Sequence, residues 1–439
     1  MRVFNTQPPS GTKDLLPADV KNREWVFSVI KEVFESFGFL PMDTPAFERL
    51  ETLAGKYGEE AQKLIFKIMK RAAQAPSGEA DLALRYDLTV PLARFFARYQ
   101  DKLPRPFRRY QIGPVWRADR PGKGRFREFY QCDIDIIGSS SLLAEVEVIL
   151  ALAKTLSRLG LSNYIVRLNS RKVLVGLMEN YGIPNELRQA TLTVFDKLDK
   201  VGVEGVIQEL KIFKLPEAII NKVGTDLSKK GMELKSRISA SVSGKEGLQE
   251  VEEIILLVAP LLDRGEIEFS PFLARGLDYY TGPIFEIYLK GVKGAIASGG
   301  RYDNLIKMFT GKQIPACGGS LGIDRLLSEI KQISNQMKED PIAPKVFLTV
   351  WNHTSRAEAL RIAVELRNEG VSTEISLTEG KIGEQVRYAS KRGIHYCLFY
   401  GPDEQTRNEI TIKNLLTGEQ KSVKREQIAS TLKSLIQRR

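Results

Sequence analysis

The stretch RPFRRYQIGPVWRADRPGKGRFREFYQCDIDIIG, residues 105–138, decides the fold of the first part of the chain. Apolar and polar residues alternate on either side of a short, basic, glycine-containing loop, RPGKGR. Because successive side chains of a strand point to opposite faces, this pattern predicts two strands joined as a hairpin. On the second strand, Gln131, Asp133 and Asp135 share one face, and the apolar residues share the other. The first face therefore carries an amide and carboxylates where a hydrophobic sheet would carry apolar side chains.

Basic residues concentrate around the turn of this hairpin. If the alternation continues past the first strand, Arg117 and Asp119 share one face. The loop and its flanks add further cations: Arg120, Lys123, Arg125 and Arg127. Guanidinium groups suit bidentate contact with phosphate, so two interpretations stay open, a solvated charged tip and a phosphate-binding loop. The chain has no GxxxxGKS/T motif and no GxGxxG after a strand, so a nucleotide here is not bound as in P-loop or Rossmann proteins.

Composition narrows the class of protein. The 439 residues are enough for two or three domains, and the net charge of +11 fits either solubility or a polyanionic partner, with nucleic acid first. No apolar run reaches membrane-spanning length, and the N-terminus shows no signal-peptide pattern. Three widely separated cysteines indicate a reducing cytoplasm rather than a disulfide framework. The two histidines have no metal-binding spacing, which argues against a zinc site and against His-based nucleophilic catalysis.

Four regions follow one another along the chain. Residues 1–160 mix helices and strands, whereas residues 161–265 show helical periodicity and almost no strand signal. Residues 266–335 return to strands and end in a glycine-rich strand that runs into a helix. The polar segment NQMKEDPIAP, residues 335–344, predicts a linker. Residues 345–439 predict a separate α/β domain with a βαβ start, a hairpin and a closing helix, and they carry 16 Lys and Arg against 11 Asp and Glu, an excess of +5.

Two further stretches place polar residues at chain turns. LALRYDLTVPLARFFARY, residues 82–99, predicts a strand that turns into a helix, where Asp87 or Thr89 either caps the helix or has a function. FLARGLDYYTGPIFEIY, residues 272–288, predicts a strand, a turn and a second strand. The turn crowds together charged, hydroxyl and aromatic side chains: Arg275, Asp278, Tyr279, Tyr280 and Thr281. An ordinary buried hairpin does not explain this cluster, so a functional interpretation is favoured.

The order of these motifs resembles the histidyl-tRNA synthetase family, whose members are class II aminoacyl-tRNA synthetases. The resemblance rests on GTKDLLP, LRYDLTVPLAR, RRYQIGPVWRADRPGKGRFREFYQCDIDI, RGLDYYTGPIFE, SGGRYDNLI and GGSLGIDRLL. It implies an α+β fold with a class II synthetase catalytic domain, an antiparallel sheet flanked by helices. It also implies a helical insertion at 161–265, which divides the catalytic domain into 1–160 and 266–335, and a C-terminal α/β anticodon-binding domain at 345–439.

The same resemblance implies roles for individual residues. Arg117 and Arg275 are the expected catalytic residues, because the family's matching arginines contact the ATP α-phosphate and the carboxylate of histidine. The expected ATP-binding residues are Arg117, Asp119, Arg125 and Arg325. The expected histidine-binding residues are Asp87, Leu88, Thr89, Arg117, Gln131, Asp135, Arg275, Tyr279 and Tyr280. The segment SGGRYD is expected to form part of the pocket floor. Bacterial members commonly have Glu where this chain has Asp87, Asp119 and Asp135.

The implied function is that of a histidine–tRNA ligase. Histidine and ATP with Mg²⁺ give histidyl-adenylate, which passes to the 3′ end of tRNA(His). We expect the helical insertion to lie over the acceptor stem and the C-terminal domain to bind the anticodon loop. GFLPMDTPAFERLE resembles the family's interface motif, with Pro45 as its signature proline, and implies a homodimer. The enzyme is expected to be cytoplasmic, without a tightly bound metal and without a membrane partner.

Two other classes of function remain as alternatives. One is the non-catalytic regulatory subunit of the first enzyme of histidine biosynthesis, a paralogue of this fold. That subunit typically lacks the C-terminal domain and has eroded motifs. This sequence has the C-terminal domain and the intact motifs, which argues against this alternative. The other alternative is a synthetase-like module that binds tRNA as a sensor, against which the presence of Arg117, Arg275 and Arg325 argues.

Overall fold

The computed structural model describes residues 4–54, 63–70, 78–122, 124–229, 231–275, 279–333 and 345–437. Lys123, Asp278 and the predicted linker at 335–344 therefore lie outside the described residues. The chain separates into two compact units, residues 1–334 and 335–439. Each unit has its own main sheet and its own hydrophobic core.

The first unit is built on a large sheet with eight strands among the described residues. The strands of this unit are β1 (Leu40–Pro41), β2 (Phe47–Arg49), β3 (Lys67–Met69), β4 (Ala80–Leu84), β5 (Phe107–Trp116), β6 (Glu128–Ile137), β7 (Tyr164–Ser170), β8 (Glu266–Phe269), β9 (Pro283–Leu289), β10 (Ala297–Arg301) and β11 (Ala316–Gly322). The large sheet has the order β1-β5-β6-β11-β10-β9-β7-β8, and β2, β4 and β3 form a small sheet. The five inner strand pairs of the large sheet are antiparallel, while β1–β5 and β7–β8 at its edges are parallel. The expected antiparallel sheet is confirmed, with a parallel pair added at each edge.

Helices surround this sheet and fill the segment between β7 and β8. They are α1 (Pro17–Ser36), α2 (Leu50–Leu53), α3 (Thr89–Tyr99), α4 (Leu143–Arg158), α5 (Arg171–Tyr181), α6 (Asn185–Phe195), α7 (Leu198–Ile212), α8 (Glu217–Leu227), α9 (Lys235–Ile238), α10 (Val242–Val258), α11 (Lys307–Thr310) and α12 (Ile323–Ile333). Helix α4 packs on β11 at Gly319. A Cβ at Gly319 would lie 2.8 Å from the Cδ1 of Leu152, so the absent side chain lets the helix approach the strand.

Helix α1 shows how the predicted periodicity becomes a packed helix. Its buried residues include Val26, Ile30, Val33 and Phe34, which repeat at the spacing of one helical face. The helix ends at Ser36, and Gly38 follows with φ of 77°, a left-handed conformation that glycine adopts without a Cβ penalty. The glycine therefore marks the end of this helix.

Two secondary-structure predictions are wrong. The helical periodicity of residues 161–265 fails at NYIVRLNS, because residues 164–170 form β7 and pair with β9 and β8 of the large sheet. The strand forms because long-range pairing and burial override the local helical pattern. The predicted strand at FLAR is also wrong: β8 ends at Phe269, and the described residues 270–275 contain a turn and irregular backbone.

The second unit is an α/β sheet of five strands in the order β13-β12-β14-β15-β16. Its elements are β12 (Val346–Leu348), α13 (Arg356–Asn368), β13 (Thr373–Ile375), α14 (Ile382–Lys391), β14 (Tyr396–Phe399), α15 (Pro402–Arg407), β15 (Glu409–Asn414), β16 (Gln420–Lys424) and α16 (Ile428–Gln437). Strand β12 pairs in parallel with β13 and β14, and β15 and β16 form an antiparallel hairpin. The predicted βαβ start, hairpin and closing helix are confirmed, and the short helix α15 is additional.

Candidate active site

One face of the large sheet carries a continuous row of polar side chains. Each residue of this row lies directly opposite the next one on the adjacent strand. In sheet order from β5 to β8 the residues are Gln111, Asp133, Ser320, Ser298, Glu286, Arg167 and Glu268. A second row on the same face, two residues away along each strand, contains Arg109, Asp135, Gly318 and Gly300. The predicted polar face of β6 is therefore part of a polar surface that crosses most of the sheet.

Asp135 lies at the centre of a buried ionic cluster. Its Oδ2 is 2.6 Å from Nη2 of Arg109, whose side chain is fully buried. The hydroxyl of Tyr302 donates a hydrogen bond to Oδ1 of the same carboxylate. A Cβ at Gly318 would lie 1.9 Å from that Oδ1, so the glycine of β11 makes room for the carboxylate. The sequence interpretation gives no role to Arg109, although a buried carboxylate row on β6 calls for a cation on a neighbouring strand.

Two buried tyrosines lie beside this cluster. The ring centres of Tyr279 and Tyr280 are 4.9 Å apart, and the ring of Tyr279 is 5.9 Å from that of Tyr302. A Cβ at Gly300 would lie 2.9 Å from Cδ1 of Tyr280, so the bare backbone of β10 contacts this ring. Burial raises the pKa of both Tyr279 and Tyr280, which keeps the phenols neutral and able to donate or accept hydrogen bonds.

Gln131 and Asp133 extend the polar face toward β11. Nε2 of Gln131 donates to Oγ of Ser320 at 3.2 Å. Asp133 is 3% exposed, and burial raises its pKa to about 7, although Arg109 acts in the opposite direction. Its Oδ1 has no hydrogen-bond partner among the described residues. Strand β6 therefore carries one ion-paired carboxyl group, Asp135, and one, Asp133, whose pKa is raised to about 7.

Asp87 and Leu88 lie directly before Thr89, the first residue of α3. Oδ1 of Asp87 accepts hydrogen bonds from the backbone N–H groups of Thr89 and Val90, at 3.1 and 3.0 Å. The capping interpretation of Asp87 is therefore confirmed, and it leaves a functional role open. Leu88 is fully buried, and its carbonyl oxygen lies 3.3 Å from Nη2 of Arg109, which donates to it. This contact connects the start of α3 to the Asp135 cluster.

Arg117 and Asp119 lie beyond the end of β5, which is Trp116. The alternation that placed them on one strand face is therefore wrong, because the strand ends before it reaches them. Nε of Arg117 donates to the carbonyl of Tyr86 at 3.1 Å, and its guanidinium carbon is 4.3 Å from the ring centre of that tyrosine. Oδ1 of the buried Asp119 accepts a 2.7 Å hydrogen bond from Nη2 of Arg125, whose side chain is 65% exposed.

Arg275 and Arg325 come from different parts of the chain. Nη1 of Arg275 lies 2.6 Å from Oε1 of Glu286, in the middle of β9. Arg325 lies in the first turn of α12, and its Nη1 donates to the carbonyl of Ala295. The sequence interpretation gives no role to Glu286, because the signal for it is the register between β9 and its neighbours rather than a local motif.

Three of these four arginines line one large cavity in the first unit. Its volume is about 2110 Å³, and Arg125, Arg275 and Arg325 all line it. Tyr86 and Phe129, the rings nearest to Arg117, also line it. Cations on three separate segments around one space fit a ligand with several negative charges.

Neither a metal site nor a membrane-spanning helix is found in the part of the chain that the structure describes. No group of three or more His, Cys, Asp and Glu side chains there is arranged to hold a metal ion. No described helix is both long enough and apolar enough to cross a membrane. The three cysteines are buried and free, and burial raises the pKa of each thiol.

Comparisons with known proteins agree with this geometry. A family model described as histidyl-tRNA synthetase matches residues 11–326, and one described as an anticodon binding domain matches residues 345–435. Histidine–tRNA ligases of Phocaeicola vulgatus and Christiangramia forsetii are 36% and 37% identical to the chain, over 97% of it and 98% of each relative. The crystal structure of histidyl-tRNA synthetase from Nostoc sp. PCC 7120 matches with a TM-score of 0.79 and 30% identity, over 98% of this chain and 100% of that one.

Proposed function

The chain belongs to the histidyl-tRNA synthetase family, and on this premise we propose which of its residues carry out the histidine–tRNA ligase reaction. The reaction joins histidine to tRNA with ATP as the second substrate. The single observation that carries our assignment is the convergence of Arg125, Arg275 and Arg325 on one cavity. Each comes from a different segment, so the fold rather than a local motif brings the charges together.

Arg275 and Arg117 are proposed as the catalytic residues. When the carboxylate of histidine attacks the α-phosphate, negative charge builds up on the phosphate oxygens and pyrophosphate leaves. Cations already fixed at that place stabilise the transition state without reorganising. The hydrogen bond from Arg117 to the carbonyl of Tyr86 and its position over the ring support a fixed guanidinium.

The histidine pocket is proposed to be the buried end of the site. The residues assigned to it are Asp87, Leu88, Thr89, Arg117, Gln131, Asp135, Arg275, Tyr279 and Tyr280. Its support is the packing of neutral phenols beside a buried carboxylate. An imidazole ring donates and accepts hydrogen bonds, and a pocket with fixed polar partners rejects ligands that leave those partners unpaired.

ATP is proposed to lie toward the open end of the site, against Arg117, Asp119, Arg125 and Arg325. Arg125 and Arg325 are expected to contact the outer phosphates, and Asp119 is expected near the adenine. Mg²⁺ is proposed to enter with the triphosphate as part of the substrate, since Mg²⁺ binds mainly through phosphate oxygens and water and needs few protein ligands. Removal of Mg²⁺ with EDTA is expected to stop ATP–pyrophosphate exchange, and unchanged exchange would contradict this role.

The two units are proposed to divide the work on tRNA. Residues 345–439, with their excess of +5, are proposed to bind the anticodon loop, whose bases are accessible to side chains. The helical residues between β7 and β8, which make up most of the predicted insertion at 161–265, are proposed to lie over the acceptor stem. The enzyme is proposed to work in the cytoplasm, which localisation of a tagged chain would test.

A homodimer is also proposed, through the segment around Pro45. Pro45 is exposed, and so are its apolar neighbours Leu40 and Phe47, which are 54% and 51% exposed. These exposed side chains are available for contact with a second copy of the chain. Sedimentation of the full chain at micromolar concentration tests this proposal, because a fully active monomer would contradict it.

Truncation after residue 335 tests the division of labour. We expect residues 1–335 to retain histidine-dependent ATP–pyrophosphate exchange within about threefold, because all the assigned histidine and ATP residues lie in them. Aminoacylation should fall about 100-fold or more, with a weaker salt dependence, because phosphate contacts of the second unit are lost. Both activities are measured on one folded preparation of the truncated chain. Equal loss of both would contradict the division, and undiminished aminoacylation would remove the second unit from tRNA binding.

A further inference from the structure

Arg275 reaches the cavity from a segment without regular secondary structure. The described residues 270–275 contain a turn but neither a strand nor a helix. An arginine side chain has many rotamers, so its guanidinium needs contacts to fix its direction. Its closest ionic contact is with Oε1 of Glu286, 2.6 Å from Nη1, and the ring centre of Tyr280 lies 5.9 Å from its guanidinium carbon. The direction of Arg275 therefore depends on Glu286 more than on its own backbone.

Glu286 is suited to fix a direction because its own position is fixed. It is the fourth residue of β9, which is paired on both sides, with β10 and with β7. Its Oε1 accepts from Arg275, and its Oε2 accepts from the hydroxyl of Tyr288, two residues further along the same face. The side chain of Glu286 is 16% exposed. Both carboxylate oxygens are thus held, on a strand inside the sheet.

We propose that Glu286 is a positioning residue that aims Arg275 at the α-phosphate of ATP, an inference that rests on the role proposed above for Arg275. A guanidinium group has five N–H donors. The contact with Glu286 occupies Nη1, and the other donors would then contact the phosphate in one fixed orientation. Such a fixed cation stabilises developing charge better than a mobile one.

The same contacts extend to the helical residues that follow β7. The hydroxyl of Tyr288 lies 3.2 Å from Oδ2 of Asp199, in the first turn of α7. The guanidinium of Arg167 lies 4.7 Å from the ring centre of Tyr288 and 3.6 Å from Asp199. Tyr288 is therefore held between α7 and Glu286, and loss of its hydroxyl is expected to loosen Glu286 without removing its charge.

Steady-state ATP–pyrophosphate exchange by the full chain tests the proposal. Glu286→Gln keeps the side-chain shape and removes the charge, and we expect kcat to fall about 10- to 100-fold while the KM for histidine changes less than about threefold. Tyr288→Phe should lower kcat about three- to tenfold. Glu266→Gln is the matched control: it removes a carboxylate that pairs with Lys290 at the neighbouring strand ends, and it should leave kcat unchanged.

A double-mutant cycle separates positioning from a general structural defect. If Glu286 acts through the guanidinium of Arg275, Glu286→Gln should lower kcat far less in an Arg275→Lys background than in the parent. The same fold loss in both backgrounds would overturn the proposal, and so would exchange by Glu286→Gln within about threefold of the parent. If circular dichroism shows that Glu286→Gln is unfolded, Tyr288→Phe decides in the same cycle.

Arg275→Ala tests the catalytic role of Arg275 separately from the positioning role of Glu286. Arg275→Ala with exchange within a few-fold of the parent would remove the catalytic role proposed for Arg275, and with it the target of Glu286. An inactive Arg275→Ala together with a fully active Glu286→Gln would leave the role of Arg275 in place and overturn only the positioning role of Glu286. Circular dichroism of Arg275→Ala shows whether the variant is folded.

Discussion

The two ends of the proposed site are built differently. At the histidine end, Arg109, Asp135 and Tyr302 lie on or beside central strands and are at most 2% exposed. At the phosphate end, Arg125 lies in the hairpin loop with 65% of its side chain exposed, and it pairs with Asp119. The first group has been removed from water on folding, whereas the guanidinium of Arg125 remains largely hydrated.

The difference matches what each ligand demands. A small amino acid with a net charge near zero is distinguished by hydrogen bonds that are strong only when water is excluded, so its partners must be buried and already paired. A triphosphate carries several charges and is attracted over a longer range, so hydrated, movable cations suffice. Substitutions at the histidine end should therefore reduce stability as well as function, while those at the phosphate end should affect mainly ATP affinity.

The largest effect on stability is expected for Asp135→Asn. This change leaves the buried guanidinium of Arg109 without its ionic partner, which costs about 3–5 kcal/mol of the free energy of unfolding. Urea unfolding followed by circular dichroism measures the loss. Glu147→Gln is the matched control, because Glu147 pairs with the adjacent Arg108 at the same 2.6 Å but is partly exposed. The control should cost less than about 1 kcal/mol.

Equal losses in the two variants would break the comparison, because burial would then not distinguish the two ion pairs. A loss for Asp135→Asn of less than about 1 kcal/mol would show that Arg109 is solvated or finds another partner. Histidine affinity of Asp135→Asn, measured under conditions where it is folded, adds the functional half of the test. We expect histidine binding to weaken as well.

Much of the fold is predictable from the sequence, because local alternation and end signals agree with it. The hairpin β5–β6, helix α1 with Gly38 at its end and the elements of the second unit follow from such patterns. Strand β7 does not, because it is specified by pairing with β9 and β8, which are more than ninety residues away in sequence. The break after Trp116 is also invisible to alternation, since it depends on where the hairpin partner ends.

The residues of the site can also be divided into those that local patterns predict and those that depend on long-range pairing. Alternation on β6 predicts the polar face that holds Asp135, and motif resemblance adds the assigned arginines and tyrosines. Arg109, Glu286 and Tyr302 acquire their contacts through sheet register, so no local pattern indicates which carboxylate or hydroxyl each one meets. The glycines of β10 and β11 are a usable signal, because bare strand backbone marks a place where another group approaches closely.

A pH effect is expected from the second carboxyl group of β6. Burial raises the pKa of Asp133 from 3.8 to about 7. Between these values the folded chain keeps a proton that the unfolded chain has lost, so stability decreases as pH rises through this window. From pH 5 to pH 8 the contribution of Asp133 should decrease by about 2–3 kcal/mol. Asp133→Asn cannot ionise and should not show this part of the decrease.

Urea unfolding of both proteins at pH 5, 6, 7 and 8 provides the comparison. The free energies of unfolding of parent and Asp133→Asn should lie closest at pH 5 and diverge as pH rises, with the variant more stable at pH 8. If the free energies of unfolding of the two proteins ran parallel with pH, the pKa of Asp133 would not be raised in the folded chain. A variant that becomes relatively less stable with rising pH would indicate an ionised Asp133 paired with Arg109, and the two carboxyl groups of β6 would then be alike.

The smallest effect is expected at the hydrated end, for Arg125→Ala. Loss of one charge–phosphate contact by an exposed side chain should raise the KM for ATP about tenfold, with kcat within about threefold and stability within about 1 kcal/mol. Because the group is exposed, the difference from the parent should shrink as NaCl rises from 0.05 to 0.5 M and shortens the screening length.

Arg158→Ala is the matched control, an arginine whose side chain is 55% exposed and pairs with Glu32. It should leave the KM for ATP unchanged at every salt concentration. A stability loss for Arg125→Ala as large as that for Asp135→Asn would show that both ends of the site are equally part of the core, and a salt-independent KM would show that Arg125 meets the phosphates out of contact with water.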